Sequence, residues 1–332
     1  MESEAKDNCY MKPLELLCGR DLVKICAPMV RYSKLPFRML VRKYAVDVAY
    51  TPMIMSDSFV KSQKARDAEF TTGPGDRPLV VQFAANNAID LANASELIFK
   101  HADGVDLNCG CPQRWAMAEG YGACLIEKPE LVRDLIHQTR NRIADPDFTV
   151  SMKIRIHKDI RRTVDLCRKV ESCGLSFLTV HGRTKEQRSE PVDLEAIRII
   201  KESLDIPVVA NGDVNSVERA QEVARITGVD GVMAARSLLE NPAMFSGAKF
   251  TPACCVQDWL DLSASLGCHF TPFHHHLMFM LDHALPRTEK RIFNVLSSTS
   301  AVLDYLHSVY SFQSSSDIVH KFWTLDCGGD GN

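Results

Sequence analysis

Residues 149–184 read TVSMKIRIHKDIRRTVDLCRKVESCGLSFLTVHGRT. Thr149–Arg155 and Ser176–His181 are short runs rich in apolar and β-branched residues, and Ile160–Glu171 between them repeats its apolar positions at helical spacing. Strand, helix, strand in 36 residues is one βαβ unit, with its two strands side by side and parallel. Lys153, Arg155 and His181 break the apolar pattern late in each strand. The unit therefore gathers polar side chains toward one end.

The alternation extends in both directions. Strand-like runs occur at Val23–Ala27, Val46–Thr51, Leu79–Ala84, Gly104–Asn108, Ile206–Asn211 and Gly231–Ala235. Amphipathic segments fill the gaps at Lys34–Tyr44, Asp90–His101, Pro129–Ile143, Leu194–Leu204 and Val217–Ile226. Ser33, Pro129 and Asn215-Ser216 supply helix-start signals. Eight β/α units in about 230 residues predict a TIM (β/α)8 barrel. A doubly wound sheet shares the alternation; the strand number and the one-sided polar rim favour the barrel. From Pro252 the pattern reads as helices only, at Trp259–Leu266, His274–Ala284 and Glu289–Tyr305. The expected division is an N-terminal extension (1–20), a barrel (21–250), a small α-helical domain (251–312) and a tail (313–332).

The whole chain has 332 residues, 45% hydrophobic and 24% charged, with a formal charge of −3. This composition excludes collagenous, coiled-coil and disordered chains, and a strongly basic DNA-coating protein. No DNA partner is expected. The acidity lies at the C-terminal end: residues 251–332 carry four Lys/Arg against eight Asp/Glu, leaving 35 against 34 upstream. Twelve scattered cysteines without a secretory leader predict reduced thiols and an intracellular location, cytoplasmic or nuclear. No Cys-x-x-Cys pair occurs, and neither Cys254-Cys255 nor His274-His275-His276 has zinc-ligand spacing, so no metal is expected. No apolar stretch approaches the length of about 20 residues that spans a bilayer.

In a TIM barrel the chemistry sits at the C-terminal strand ends. There the sequence places Pro28, Met29 and Val30 after strand one, Gln82 in strand three, Asn108 to Pro112 after strand four, Lys153 and Arg155 in strand five, and His181 at the end of strand six. Asn211-Gly212-Asp213 and Ala235-Arg236 follow the last two strands, the usual position for a phosphate in this fold. Asn-Gly-Asp alone would read as a plain turn; its pairing with Arg236 favours the phosphate. A lysine inside a buried run is rarely structural. Lys153 is either a Schiff-base lysine or a fixed cation beside an electron-rich ring. Cys111, in a Gly-Cys-Pro turn on the rim, is an acid or nucleophile candidate, and Cys109 a weaker one. No Gly-x-Gly-x-x-Gly follows a strand, so a nicotinamide would only visit the barrel mouth.

These residues resemble the tRNA-dihydrouridine synthases, over roughly residues 20–310. The most specific segments are Asp106-Leu107-Asn108-Cys109-Gly110-Cys111-Pro112-Gln113 and Gly120-Tyr121-Gly122-Ala123, supported by Lys153-Ile154-Arg155, Val180-His181-Gly182-Arg183-Thr184 and Asn211-Gly212-Asp213. Cys111-Pro112-Gln113-Arg114-Trp115-Ala116 and Glu289–Asn294 are most similar to the eukaryotic dihydrouridine synthase 4-like type. The resemblance implies FMN on the barrel mouth, NADPH or NADH as reductant, and a D-loop uridine of tRNA, at 20a or 20b, as substrate. It implies Pro28, Met29 and Val30 beneath the flavin ring, Gln82, Lys153 and His181 at its polar edge, and Asn211, Gly212, Asp213, Ala235 and Arg236 around its phosphate. Cys111 would be the general acid, and Asn108 would orient the base. Ser237 stands where the family commonly has glycine, which predicts a looser phosphate loop. Arg161-Arg162, Lys185, Arg188 and Arg287/Lys290/Arg291 are the basic residues offered for RNA. The competing readings are a flavin reductase of a small pyrimidine and an inactive tRNA-binding protein. The sequence does not give the oligomeric state.

Overall fold

Thr149–Arg155 forms a buried strand, and its pairing on both sides leads around a closed ring. In the computed structural model, which describes residues 10–310, the strands are β1 (Val23–Cys26), β2 (Val48–Tyr50), β3 (Ile54–Met55), β4 (Leu79–Ala84), β5 (Gly104–Cys109), β6 (Thr149–Arg155), β7 (Phe177–His181), β8 (Val208–Asn211) and β9 (Gly231–Ala234). All pairings are parallel, in the order β2-β1-β9-β8-β7-β6-β5-β4, and β2 pairs with β4 to close the ring. The two-residue β3, absent from the sequence reading, lies on Phe83 and Ala84 of β4. The eight predicted barrel strands are all present, with ends shifted by up to two residues.

Helices Leu35–Lys43, Ala88–Ile98, Pro129–Arg142, Ile160–Glu171, Leu194–Glu202 and Val217–Thr227 surround the ring. Asn87, Asp159, Asp193 and Ser216 each accept a hydrogen bond from a first-turn amide, satisfying donors that the helix cannot use itself. Two apolar layers result. The larger lies between the strands and the helices. The smaller fills the barrel with Ile25, Val48, Tyr50, Val80, Phe177, Val209 and Met233. Helix Pro13–Gly19, within the expected extension, adds Leu16 and Leu17 to this inner core. It stops the end of the barrel opposite the rim.

Helices Ala253–Ser265, Phe270–Met280, Arg287–Phe293 and Thr299–Tyr310 follow. The predicted single helix Glu289–Tyr305 is two helices. The chain leaves the first at Asn294, and Ser298 starts the second by accepting from the Ala301 amide at 3.2 Å. These helices share the barrel's outer core: Trp259 meets Phe37 edge-on at 6.4 Å, and His276 stacks on Phe37 at 4.4 Å. The predicted tail 313–332 and the first nine residues of the extension lie outside the described residues.

Candidate active site

The turn after β5 is built around Asn108. Its Oδ1 accepts the amides of Gly110 (3.1 Å) and Cys111 (2.9 Å), while its Nδ2 donates to Gln82 Oε1 at 2.7 Å. Gln82 Nε2 donates onward to Asp106 Oδ2 at 2.8 Å, and Ser151 Oγ donates to Asp106 Oδ1 at 2.7 Å. This buried chain runs from the barrel interior to the Cys111 turn. Burial raises the Asp106 carboxyl to about 6, opposed by its two hydrogen-bond donors and the Lys153 charge.

From the other side, the Ala123 amide donates to the Cys111 carbonyl at 2.9 Å. Gly122 has φ +69, and a Cβ there would lie 2.6 Å from that carbonyl oxygen. Only glycine combines that backbone with so close an approach. Arg155 closes the turn laterally, donating to the carbonyls of Gly110 (3.0 Å), Thr184 (2.7 Å) and Gln187 (2.9 Å). Of the two cysteines, Cys109 is fully buried, and burial pushes its thiol well up. Cys111 is partly open on the rim.

The strand register places Lys153 between Asn108 and Thr179, and His181 between Arg155 and Asn211. Lys153 is half-buried and makes no hydrogen bond to a described residue. Burial pulls its ammonium down to about 8, with Asp106 acting in the opposite direction. Burial, and then the charges of Lys153, Arg155, Arg183 and Arg236, hold His181 neutral down to about 2. Arg183 Nη1 lies 3.2 Å from His181 Nε2. A guanidinium only donates, so Nε2 is the acceptor and the ring proton sits on Nδ1. Arg183 also pairs with Asp213 and donates to the Glu190 carbonyl. Gly212, at φ +116, leaves room for the His181 ring; a Cβ would come within 2.9 Å of it.

Between the ends of β8 and β9 lies a cleft of about 300 Å³ lined by His181, Asn211, Gly212, Asp213, Ala235 and Arg236 among others. Asn211 Nδ2 is spent on the Met233 carbonyl at 2.8 Å, and the Asp213 carboxylate on Arg183. Arg236 is exposed and hydrogen-bonded to no described residue. Ser237 donates its hydroxyl to the Val214 carbonyl, so the loop expected to be loose is tied across to its neighbour. Pro28 is half-buried and Val30 exposed at the mouth, whereas the Met29 side chain lies in the outer core.

The structure thus brings Asn108, Cys111, Lys153, His181 and the 211–213 and 235–236 segments to one rim. The sequence reading left Arg183, Asp106 and Gly122 without roles, although each stood in a quoted motif. An acidic residue inside an apolar strand, as at Asp106, is the same signal that singled out Lys153. Of the basic residues offered for RNA, Arg162 and Lys185 converge on Glu127, and Lys290 pairs with Asp282. The side chains of Arg161, Arg188, Arg287 and Arg291 have no carboxylate partner among the described residues. Among the described residues no group of three or more His, Cys, Asp or Glu is arranged to hold a metal, and no helix is long and apolar enough to cross a membrane.

Fold and rim together define a (β/α)8 barrel whose polar groups gather at the strand C-termini, where enzymes of this fold carry their chemistry. The old yellow enzyme of Trypanosoma cruzi shares the fold, with a TM-score of 0.51 at 13% identity over 69% of this chain and 90% of that one. Residues 25–306 match the dihydrouridine synthase (Dus) family, and the chain belongs to it. A Mus musculus relative, named as a tRNA-dihydrouridine(20a/20b) synthase-like protein linked to NAD(P)+, is 60% identical over 92% of this chain and 94% of its own. The Saccharomyces cerevisiae tRNA-dihydrouridine(20a/20b) synthase is 37% identical over 88% of this chain and 81% of its own.

Proposed function

We propose that the chain is an FMN-dependent tRNA-dihydrouridine synthase that reduces uridine in the D-loop, at positions 20a and 20b, with NADPH or NADH as reductant. The observation that carries this reading is Cys111, a rim thiol clamped by Asn108 and Gly122 beside Lys153 and His181, in a chain of this family. The choice of 20a and 20b follows the names of the relatives.

The rim's own chemistry fits FMN. Arg236 and the backbone amides of 212–213 suit a phosphate dianion in the cleft. Pro28 and Val30 offer an apolar floor, with Met29 supporting it from beneath. The ammonium of Lys153 and the Nδ1–H of His181 suit an electron-rich ring edge. When bound there, FMN supplies hydride transfer from the nicotinamide to C6 of uracil.

The chain's residues do the rest. The rim receives a uridine flipped out of the folded RNA, since a stacked base is out of reach. Cys111 Sγ gives its proton to C5, which completes addition across the C5–C6 bond. Asn108 and Gln82 hold the turn that aims the thiol. With its ammonium at about 8, Lys153 is mainly charged near neutrality and opposes negative charge at the ring edge. Burial and the surrounding cations keep His181 neutral, and Arg183 on Nε2 leaves Nδ1–H as its donor. The free state of the described cysteines supports an intracellular, cytoplasmic or nuclear setting.

The test is Cys111→Ala. The variant keeps a visible flavin spectrum and loses uridine reduction by about 10²–10⁴-fold, the range for a lost general acid. Turnover at the parent rate would remove the acid assignment. A parent protein that takes up no flavin would overturn the oxidoreductase reading itself.

A further inference from the structure

We propose that Trp115 is a stacking platform for a base next to the reacting uridine, and that Arg114 beside it meets the RNA backbone. The proposal rests on the reading of the substrate as tRNA. Trp115 is 47% exposed, whereas Trp259 is 1% exposed in the core. Its position is set by the catalytic turn: helix Arg114–Ala118 begins three residues after Cys111. Ala116 anchors that helix against Ala84 and Tyr121, with Met53 and Met55 alongside, and the Tyr121 amide donates to its carbonyl at 2.7 Å. Neighbouring residues on a helix point about 100° apart. Burying Ala116 therefore turns Trp115 off the packed face and onto the rim.

The indole is also held in place. Its Nε1 donates to Gln113 Oε1, which satisfies its one polar atom and leaves the aromatic surface for a partner. Arg114 is exposed and engaged by no described residue. Around Tyr121 the flank is otherwise acidic, with Asp57, Asp90 and Glu119. Apart from Arg114 this flank disfavours phosphates, so what it mainly offers RNA is a flat apolar face. Stacking on such a face is sequence-tolerant and requires an unpaired base, as the bases of an RNA loop are.

The experiment uses the flavin-loaded full chain, unmodified tRNA transcript, and the variants Trp115→Ala and Trp115→Phe. Trp115→Ala raises the KM for tRNA by about 10-fold or more, as expected for one lost stack, with flavin content per chain unchanged. Trp115→Phe keeps a KM near that of the parent. Addition of tRNA quenches tryptophan emission in the parent, and Trp115→Phe lacks most of that quench. A parent-like KM in Trp115→Ala, or a full quench in Trp115→Phe, overturns the stacking role and leaves the substrate reading standing. If the parent neither binds nor reduces tRNA, the substrate reading falls and the stacking role falls with it.

Discussion

Cys109 and Cys111 stand two residues apart in opposite surroundings, and the difference is backbone work. Asn108 folds the chain back so that one thiol is buried and the other reaches the rim. Gly122→Ala tests the clamp from the far side. The new Cβ would meet the Cys111 carbonyl, and a non-glycine residue at this φ costs about 1–3 kcal/mol. Uridine reduction is expected to fall at least about tenfold for a strain above about 1.4 kcal/mol at the turn, while flavin content holds, measured by turnover per bound flavin. Arg183→Met frees the acceptor nitrogen of His181. In the flavin-free chain, nitrogen NMR is expected to find His181 as the Nδ1–H tautomer in the parent and as a mixture in the variant. An unchanged tautomer would show that Arg183 does not set it. The types and positions of these rim residues were legible in the sequence because strand periodicity fixes which residues reach the mouth. The commitments of their polar atoms were not. Nothing in the spacing says that both ends of Gln82's amide are used inside the barrel, or that Met29 turns away from the mouth.

Among the elements, the barrel strands and their helices were readable because each carries its own apolar repeat. The split after Phe293 was harder to see: Val295 and Leu296 continue an apolar rhythm through a segment that has left the helix. The signal that marks it is the cap. Ser298→Ala is expected to cost about 1 kcal/mol in urea unfolding, and no change would mean that Ser298 is not the start of Thr299–Tyr310. Helix Phe270–Met280 brings a second effect. Burial holds His276 neutral down to about 3, with its bond to the Tyr32 carbonyl acting the other way. The unfolded chain protonates this ring below 6.5 and the folded one does not. Stability therefore falls as pH drops through that value. About one pH unit below it, this ring costs about 1.4 kcal/mol. Urea midpoints measured near neutrality and one unit below 6.5 check the sign, and a flat profile would contradict it.

At the scale of the whole molecule, two ends of one barrel do different work. The rim carries the polar groups, and the opposite end is stopped by Leu16 and Leu17, each 3% exposed. Leu17→Ala is expected to cost about 2–5 kcal/mol and to leave flavin affinity as in the parent, read by a melt and a flavin titration. An equal loss in both would mean that the two ends are not separable. The stopper was invisible in the sequence because a seven-residue helix has too little periodicity to stand out, and its partners are spread along the chain from Val23 to Met233. The acidic C-terminal helices keep their core side continuous with helix Leu35–Lys43, which hydrophobic pattern alone cannot reveal.

The Tyr32 carbonyl receives its hydrogen bond from His276 Nε2 at 3.1 Å, across 244 residues of chain. Tyr32 closes the loop that begins at Pro28 and Val30, on the floor of the mouth. During synthesis the ribosome releases all the barrel strands before it releases the residue that completes this loop. A nascent chain can have a closed ring without a finished mouth, and flavin uptake is expected to need synthesis as far as helix Phe270–Met280. Yellow colour would then mark a chain made at least as far as His276, as well as bound flavin.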